Sequence, residues 1–237
     1  QSTKNDLLAL GFDEEKTVIL PEGIQFEHWT RGQFCPKEAQ PTFIYVGRFA
    51  FYKGIDAVVE AFGQLRKVYP HAKLWVVGKK NDGYIASALK PIMDRFGIEG
   101  GTEEEQKAIT FWGFVSEEKK LELMSRAHAL LFPSIREGWG LIVTEAAAVG
   151  TPSIVYQSPG IVDAVDNGKA GYLTKQNTVP ELVRLMRSVI EDPEGYERMR
   201  TDAYTFAKGF HWDKTAIAFE QFMASIIKKE GGKYGRK

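Results

Sequence analysis

Residues 42–54 read Thr42-Phe43-Ile44-Tyr45-Val46-Gly47-Arg48-Phe49-Ala50-Phe51-Tyr52-Lys53-Gly54, and their pattern indicates the class of fold. The first part of this stretch, residues 43–47, is a continuous apolar run of the kind found in a strand that is buried on both faces. The residues that follow are apolar at helical spacing: Ile55, Val58, Val59, Phe62 and Leu65. A buried strand, a short loop and an amphipathic helix form the first half of a βαβ unit, which predicts a parallel sheet.

The same alternation of apolar runs and helical patterns continues towards the end of the chain. Further strands are predicted at 74–78, 109–113, 129–132, 152–155 and 171–173. Helices are predicted over 54–69, 83–96, 140–149, 178–191, 193–208 and 212–228, with another that Ser116 caps. The sequence therefore predicts an α/β fold, a Rossmann-like parallel sheet of about six strands with helices on both faces. In such sheets ligands bind beyond the carboxyl ends of the strands.

Residues 1–40 do not follow this pattern. A leucine-rich start predicts a short helix that ends at Gly11, and residues 17–20 predict a short strand. The stretch 30–36 has the composition of a linker. We therefore expect a domain boundary near residue 40, with the Rossmann-like domain over residues 41–237.

Composition argues against several classes of protein. Lys plus Arg and Asp plus Glu both number 31, so the net charge is zero and no nucleic-acid partner is expected. Cys35 is the only cysteine, so an internal disulfide is excluded and a reducing, cytoplasmic setting fits best. Neither the four histidines nor the acids show a metal-ligand spacing, and no apolar run approaches the ~20 residues of a membrane span.

Two cations occupy the loop that leaves the first predicted strand. Arg48 and Lys53 stand between Gly47 and Gly54, and Gly54 opens the following helix. A helix N-terminus offers free amides, a guanidinium binds phosphate oxygens bidentately, and an ammonium adds a mobile charge. The loop therefore suits a diphosphate, and an ordinary solvated loop is the alternative. It has neither the Walker A nor the G-x-G-x-x-G pattern, which argues against P-loop proteins and dehydrogenases.

The loop after the fourth predicted strand carries a second cluster of polar and small residues. Residues 132–146 read FPSIREGWGLIVTEA, so Glu137 precedes a Gly138-Trp139-Gly140 turn that lets the backbone approach a ligand. The helix that starts here has free amides near Leu141. Glu145 lies about one turn into that helix, where its carboxylate could accept hydrogen bonds from a ribose diol. Compensation of the helix dipole is the alternative explanation for that acid.

Together these motifs resemble the group 1, or family 4, retaining glycosyltransferases of the GT-B fold. Arg48…Lys53-Gly54 matches the pattern of that family, and Glu137 and Glu145 have its E-x7-E spacing. Further matches are Gly150-Thr151-Pro152, the stretch 166–173, Trp212-Asp213-Lys214 and the stretch 18–24. The resemblance covers nearly the whole chain.

The resemblance implies one half of a GT-B fold. Residues 1–40 would be the tail of an N-terminal acceptor domain with its linker, and residues 41–237 the nucleotide-sugar donor-binding domain. The reaction would transfer a sugar from a nucleoside diphosphate sugar to an acceptor hydroxyl with retention, needing no other cofactor and no metal. The acceptor, a sugar or a lipid, would bind to the N-terminal domain. Because nearly all of that domain lies outside this sequence, the chain alone is expected to bind donor weakly and to transfer nothing.

The resemblance also assigns residues to roles. Arg48 and Lys53 would neutralise the donor diphosphate, Glu137 would lie near the donor sugar, and Glu145 would bind the ribose. The base would lie near Gly78. The substrate-binding residues implied in this way are Gly47, Gly78, Phe114, Val115, Ser134, Gly138, Trp139, Gly140, Leu141 and Glu145. For Trp139, packing in the core is an equal alternative.

The sequence departs from the family pattern after the fifth predicted strand. The family often has Gly-Gly-x-x-Glu there, whereas Gly160-Ile161-Val162-Asp163 stands here with a shorter acid. Two other functions stay open: a non-catalytic nucleotide-sugar-binding module, and another GT-B enzyme such as a nucleotide-sugar epimerase. A basic C-terminal tail, residues 228–237, adds peripheral contact with the cytoplasmic membrane face as an alternative setting.

Overall fold

A parallel sheet of seven strands forms the centre of the computed structural model, which describes residues 1–20, 22–24, 35–105 and 107–234, with side chains as far as 228. The strands are β1 Thr42–Val46, β2 Lys73–Val77, β3 Gly100–Gly101, β4 Ile109–Gly113, β5 Ala129–Phe132, β6 Ser153–Val155 and β7 Tyr172–Leu173. Their order in the sheet is β3-β4-β2-β1-β5-β6-β7, and every pair is parallel. The predicted Rossmann-like α/β fold is confirmed.

Helices cover both faces of the sheet. They are α1 Ser2–Ala9, α2 Ile55–Arg66, α3 Asp82–Tyr84, α4 Lys90–Phe96, α5 Glu117–Arg126, α6 Leu141–Ala148, α7 Ile161–Ala164, α8 Val179–Glu191, α9 Pro193–Ala207 and α10 Trp212–Tyr234. As predicted, Ser116 caps α5, with its hydroxyl accepting a hydrogen bond from the Lys119 amide. None of the helices within the described ranges is long and apolar enough to cross a bilayer.

Alternate residues of β1 supply two separate cores. Phe43 and Tyr45 pack on the face that α2 and α8 cover, whereas Ile44 and Val46 pack on the face of α5 and α6. All four side chains are buried, which explains why this strand reads as an unbroken apolar run instead of an alternating one. β1 is therefore the centre of the molecule.

The side on which the chain adds strands to the sheet changes at β1. Strands β2, β3 and β4 lie on one side of β1, in the spatial order β2-β4-β3, and the chain then returns to add β5, β6 and β7 on the other side. The crevice between the loops after β1 and β5 is the topological switch point, where open α/β sheets bind their ligands. The loop that carries Arg48 and Lys53, the cation loop, follows β1. The loop that carries Glu137, the acid loop, follows β5.

Three sequence-based predictions differ from the structure. The sheet has a seventh strand, Gly100–Gly101, which pairs with the start of β4; two glycines lack the side chains on which strand recognition depends. Residues 17–20 form no strand, because they pair with no strand edge in the described parts of the chain. The helix predicted over 83–96 is interrupted by a π-helical turn over Ile85–Leu89.

The segment after the predicted linker is tied to the domain. Residues 30–34, in which most of that linker falls, lie outside the described residues, as do Arg236 and Lys237 of the basic tail. The Cys35 amide donates to Ser125 Oγ at 3.0 Å. Lys37 Nζ donates to the carbonyl oxygens of Ser125 and Ala127, at 2.9 and 2.7 Å, and to a threonine hydroxyl. All three N–H groups of this ammonium are thus satisfied, although burial lowers its pKa.

We expect acid to destabilise the fold through His128. Its Nδ1 accepts a hydrogen bond from the Thr42 amide at 3.1 Å, so the ring is neutral. Burial, and then the charge of Lys37, lower the pKa of His128 from its usual value near 6.5 to about 4. Between these two pH values the unfolded chain binds the extra proton, so stability falls as pH decreases, by about 3 kcal/mol in total.

Urea unfolding measured from pH 7.5 to pH 4 checks this prediction. His128→Asn keeps an acceptor for the Thr42 amide and removes the titration, so its unfolding free energy should lose less on acidification. An equal loss in both proteins would show that other groups cause the acid sensitivity.

Candidate functional site

A cavity of about 340 Å³ lies at the switch point of the sheet. It is lined by Val46, Gly47, Arg48, Lys53, Lys120, Phe132, Glu137, Gly140, Leu141 and Ile142. The sequence motifs after β1 and β5, which are 84 positions apart at Lys53 and Glu137, therefore meet here. Of the predicted site residues, Gly47, Arg48, Lys53, Glu137, Gly140 and Leu141 line this cavity.

Buried side chains of the core fix the loop after β1. The Tyr45 hydroxyl, fully buried on β1, donates to the Arg48 carbonyl oxygen at 2.7 Å. Phe49 is also buried, and its ring meets the ring of Tyr84 edge-on with centroids 6.5 Å apart. The Arg48 guanidinium is left exposed at the cavity mouth, where it donates to the Tyr52 hydroxyl.

Gly54 lets this loop lie directly on the loop after β5. Its φ is 71°, in the left-handed region, and a Cβ there would lie 2.9 Å from Pro133 Cγ and closer still to the Pro133 carbonyl oxygen. Only glycine fits both the conformation and the contact. Because of this contact, the start of α2 packs on the loop that carries Glu137. Lys53, the residue before Gly54, therefore reaches Glu137.

We expect Tyr45→Phe to weaken the hold on Arg48 without disturbing the core. The change removes the hydroxyl that donates to the Arg48 carbonyl and keeps the ring. It should lower the free energy of unfolding by about 1 kcal/mol, the usual value of such a hydrogen bond. Chemical denaturation measures the loss. Tyr196→Phe, which removes an equivalent hydroxyl donor to the His128 carbonyl at 2.8 Å, is the matched control: only Tyr45→Phe should also weaken ligand binding in the cavity.

Glu137 is the acid at the centre of the cavity. Its Oε1 pairs with Lys53 Nζ, and the Ser134 hydroxyl lies 2.9 Å from the same oxygen. Both partners of the ion pair are largely buried, at 15% and 14% exposure. Ser134 is fully buried, and its carbonyl accepts from the Ser158 hydroxyl at 2.8 Å. Glu137 is therefore fixed by the loop that carries it and by the loop after β1.

The glycine turn after Glu137 leads into α6. Gly140 has φ 84°, and no side chain among the described residues caps the helix, so the amides of Leu141 and Ile142 are free to face the cavity that these residues line. Gly160, from the loop after β6, packs against this turn, because a Cβ on it would lie 2.8 Å from the Gly138 carbonyl carbon. The departure from the family pattern around residue 160 thus keeps the one glycine that the turn requires.

Trp139 has contacts on its core side. Its Nε1 donates to Thr144 Oγ1 at 3.0 Å, and its ring packs on Phe210 with centroids 5.1 Å apart. It also lines a larger cavity of about 600 Å³ beside the first, together with Glu137, Asp163 and residues of the N-terminal segment. The predicted packing role is thus present, and direct contact with a ligand stays a prediction.

Glu145 does not line the 340 Å³ cavity, although the sequence placed it near a ligand. Its Oε2 accepts from Lys120 Nζ at 2.7 Å, and Lys120 lines the cavity in front of it. Sequence reasoning missed Lys120, since it stands on the polar stretch of α5 with no motif around it. Its role depends on how α5 packs against α6, which no local signal reveals.

Two backbone hydrogen bonds connect the ends of β1, β2 and β4 on one side of the crevice. The Gly47 amide donates to the Val77 carbonyl, and the Gly78 amide donates to the Gly113 carbonyl, each at 2.9 Å. A Cβ on Gly78 would lie 3.1 Å from the Gly47 carbonyl carbon and closer to its oxygen. Phe114, the first residue after β4, is 89% exposed. These residues form an open edge beside the cavity, and their predicted contact with a base stays a prediction.

Known proteins resemble this chain in sequence and fold. The family described as "Glycosyl transferases group 1" matches residues 30–206. A glycogen synthase of Mycobacterium tuberculosis is 29% identical over 207 residues, 86% of this chain and 47% of that protein. A D-inositol 3-phosphate glycosyltransferase of Nocardia farcinica is 25% identical over 237 residues, 95% of this chain and 51% of that protein. The chain thus spans about half the length of these curated relatives.

Solved structures share the fold. Anabaena Alr3699/HepE, in complex with UDP and glucose, superposes with a TM-score of 0.75 at 18% identity and covers 94% of this chain and 60% of its own. The match between family and sequence spans most of the chain, and the fold agrees with half of a GT-B enzyme. This chain belongs to the group 1 glycosyltransferases.

Proposed function

We propose that this chain is the donor-binding half of a retaining glycosyltransferase that uses a nucleoside diphosphate sugar. The observation that carries the proposal is the convergence of Arg48 and Lys53, Glu137 and the N-terminus of α6 on one cavity. Cations and free amides suit a diphosphate, and a fixed acid beside them suits a sugar hydroxyl. The relatives named above are glycosyltransferases, and HepE was solved with UDP and glucose.

The difficult step in this reaction is the departure of a charged diphosphate. Arg48 and Lys53, with the α6 amides, would stabilise the charge that develops on the leaving oxygens as the sugar–oxygen bond breaks. Lys53 has three N–H groups and gives one of them to Glu137, so it can bind phosphate while it stays paired. The resemblance assigns deprotonation of the acceptor to the leaving phosphate itself.

Glu137 suits binding of the donor sugar better than attack on it. Its Oε1 is engaged by Lys53 and Ser134, which lowers its reactivity as a nucleophile and fixes its direction. A mechanism with two carboxylates needs both acids to flank one bond. Glu145 is turned towards Lys120 and does not line the cavity. In our proposal Glu137 accepts hydrogen bonds from sugar hydroxyls, and Glu145 binds the ribose of the nucleotide.

The division of the protein into domains forms part of the same proposal. Residues 1–40 would end an acceptor domain and link it to the donor domain over 41–237. The larger cavity lies where the N-terminal segment faces Gly138 and Trp139, which is the side from which an acceptor sugar or lipid would approach. Peripheral membrane contact, and a cytoplasmic setting, belong to this proposal.

Calorimetric titration of the chain with UDP, GDP and ADP tests the proposal. We expect one nucleotide to bind, with the others at least about tenfold weaker, because a base site that reads hydrogen-bonding edges discriminates by at least ~1.4 kcal/mol. Incubation with the matching nucleotide sugar should give no transfer by this chain. Retention would be read from the anomeric configuration of the product formed by a protein that includes the acceptor domain. Absence of binding by every nucleotide would overturn the proposal.

A further inference from the structure

Lys120 is a third cation in the wall of the cavity. It lies there with Arg48 and Lys53, and its side chain is only 15% exposed. Its neighbour Lys119 points elsewhere, with Nζ 5.0 Å from the centroid of the Trp112 ring. Of two consecutive lysines on α5, therefore, one faces the cavity and the other covers an indole at the surface.

Two carboxylates, those of Glu117 and Glu145, fix the position of the Lys120 ammonium. Nζ lies 2.7 Å from Glu145 Oε2 and 2.7 Å from Glu117 Oε1. Burial alone would lower the pKa of Lys120, but the hydrogen bonds to these two acids raise it overall, so the group is charged at neutral pH. These bonds use two of its three N–H groups, and within the described residues the third N–H group has no partner.

The charge balance of the cavity favours an anionic ligand. Among the described residues, the ionisable side chains in its wall are three cations and one acid, Glu137, which leaves an excess of positive charge. Glu145 stands behind Lys120 and does not line the cavity, so a ligand that enters meets the ammonium first. A diphosphate offers enough anionic oxygens for a third cation besides Arg48 and Lys53.

We propose that Lys120 binds the diphosphate of the nucleotide directly, and that Glu117 and Glu145 are positioning residues that hold its ammonium towards the cavity. This inference rests on the proposed function, since it assumes a nucleoside diphosphate in the same cavity. It divides the site between three elements: Arg48 and Lys53 on the loop after β1, the amides of α6, and the ammonium of α5.

Calorimetry on Lys120→Met tests this inference, with UDP, GDP, ADP and inorganic pyrophosphate as the ligands. Methionine keeps the length of the side chain and removes its charge. We expect affinity for the preferred nucleotide and for pyrophosphate to fall together, by about 10- to 100-fold, the range for one charge-assisted hydrogen bond. Lys120→Arg keeps the charge and should lose less, whereas Lys119→Met should leave both affinities unchanged.

Each outcome separates the inference from the proposed function. If Lys120→Met weakens the nucleotide but not pyrophosphate, Lys120 acts on the nucleoside and the phosphate assignment is wrong. If Lys120→Met changes neither affinity while Arg48→Ala weakens both, the inference fails and the proposed function stands. If the unaltered chain binds no nucleotide, both fail. If Lys120→Met melts early because two acids lose their partner, Lys120→Gln keeps a donor for a carboxylate and takes its place.

Discussion

Arg48→Ala combined with Lys53→Met is expected to weaken binding of the preferred nucleoside diphosphate by ~100-fold or more. Each cation can donate a charge-assisted hydrogen bond to phosphate, worth about 1.5–3 kcal/mol, and the two act on one anionic group. Methionine at position 53 preserves packing near Tyr52 and Phe132, whose ring centroids lie 5.4 and 5.7 Å from Lys53 Nζ. Isothermal titration of both proteins with the same nucleotide measures the loss.

The matched control removes the same two kinds of charge from the surface. Lys90 and Arg198 are 64% and 69% exposed, and neither lines the cavity. Lys90→Met with Arg198→Ala changes the net charge equally, so it reports any effect of charge at long range. Equal losses in the two double variants would mean that the nucleotide does not bind between the loops after β1 and β5.

Gly160→Ala is expected to lower the free energy of unfolding by about 2–5 kcal/mol and to disturb the acid loop. Gly160 has φ 84°, which strains an alanine by roughly 1–2 kcal/mol. The added Cβ would also lie 2.8 Å from the Gly138 carbonyl carbon and 2.9 Å from the Glu137 carbonyl oxygen, and overpacking of this kind costs about 1–3 kcal/mol. Because the turn must move, nucleotide affinity should fall as well. Chemical denaturation and calorimetry measure the two effects.

Gly168→Ala separates backbone strain from the clash. Gly168 has a similar φ of 90°, but the nearest atom to its added Cβ is Leu173 Cβ at an ordinary 3.5 Å. It should therefore lose only the strain energy, about 1–2 kcal/mol, and keep its affinity for nucleotide. If the two alanine variants are equally stable and bind equally well, the contact between Gly160 and the Glu137 loop has no energetic importance.

Much of the fold was predictable because its signals are local. The apolar run of β1, buried on both faces, and the Ser116 cap of α5 each depend on a few consecutive residues. Arg48, Lys53 and Glu137 were expected to lie near one another, since the carboxyl ends of parallel strands share one edge of the sheet. All three line the same cavity. The seventh strand was not predicted, because Gly100–Gly101 carries no apolar pattern and, in the part of the chain that the structure describes, pairs with β4 only.

The parts of the site that sequence reasoning missed depend on contacts between distant elements. Tyr45 was assigned to the core, and nothing local indicates that its hydroxyl reaches the Arg48 carbonyl. Lys120 stands in a charged helical stretch that is usually a solvated face. Its place in the cavity follows from the packing of α5 near α6, which brings it to Glu145. Geometry of this kind is a property of the folded chain, not of any window of sequence.

The return of the chain to β1 has a consequence for the order of folding. β1 pairs with β2, which is close to it in sequence. It also pairs with β5, where Phe43 is opposite Ala129, and the whole β2, β3 and β4 region lies between these two residues in the chain. Closing a long loop loses chain entropy before its contacts form, so pairing of this kind is slow. We therefore expect Lys53 and Glu137 to come together late, once β5 has paired with β1. A nucleotide that needs both loops would recognise the finished domain, and would act by slowing its unfolding instead of by guiding its assembly.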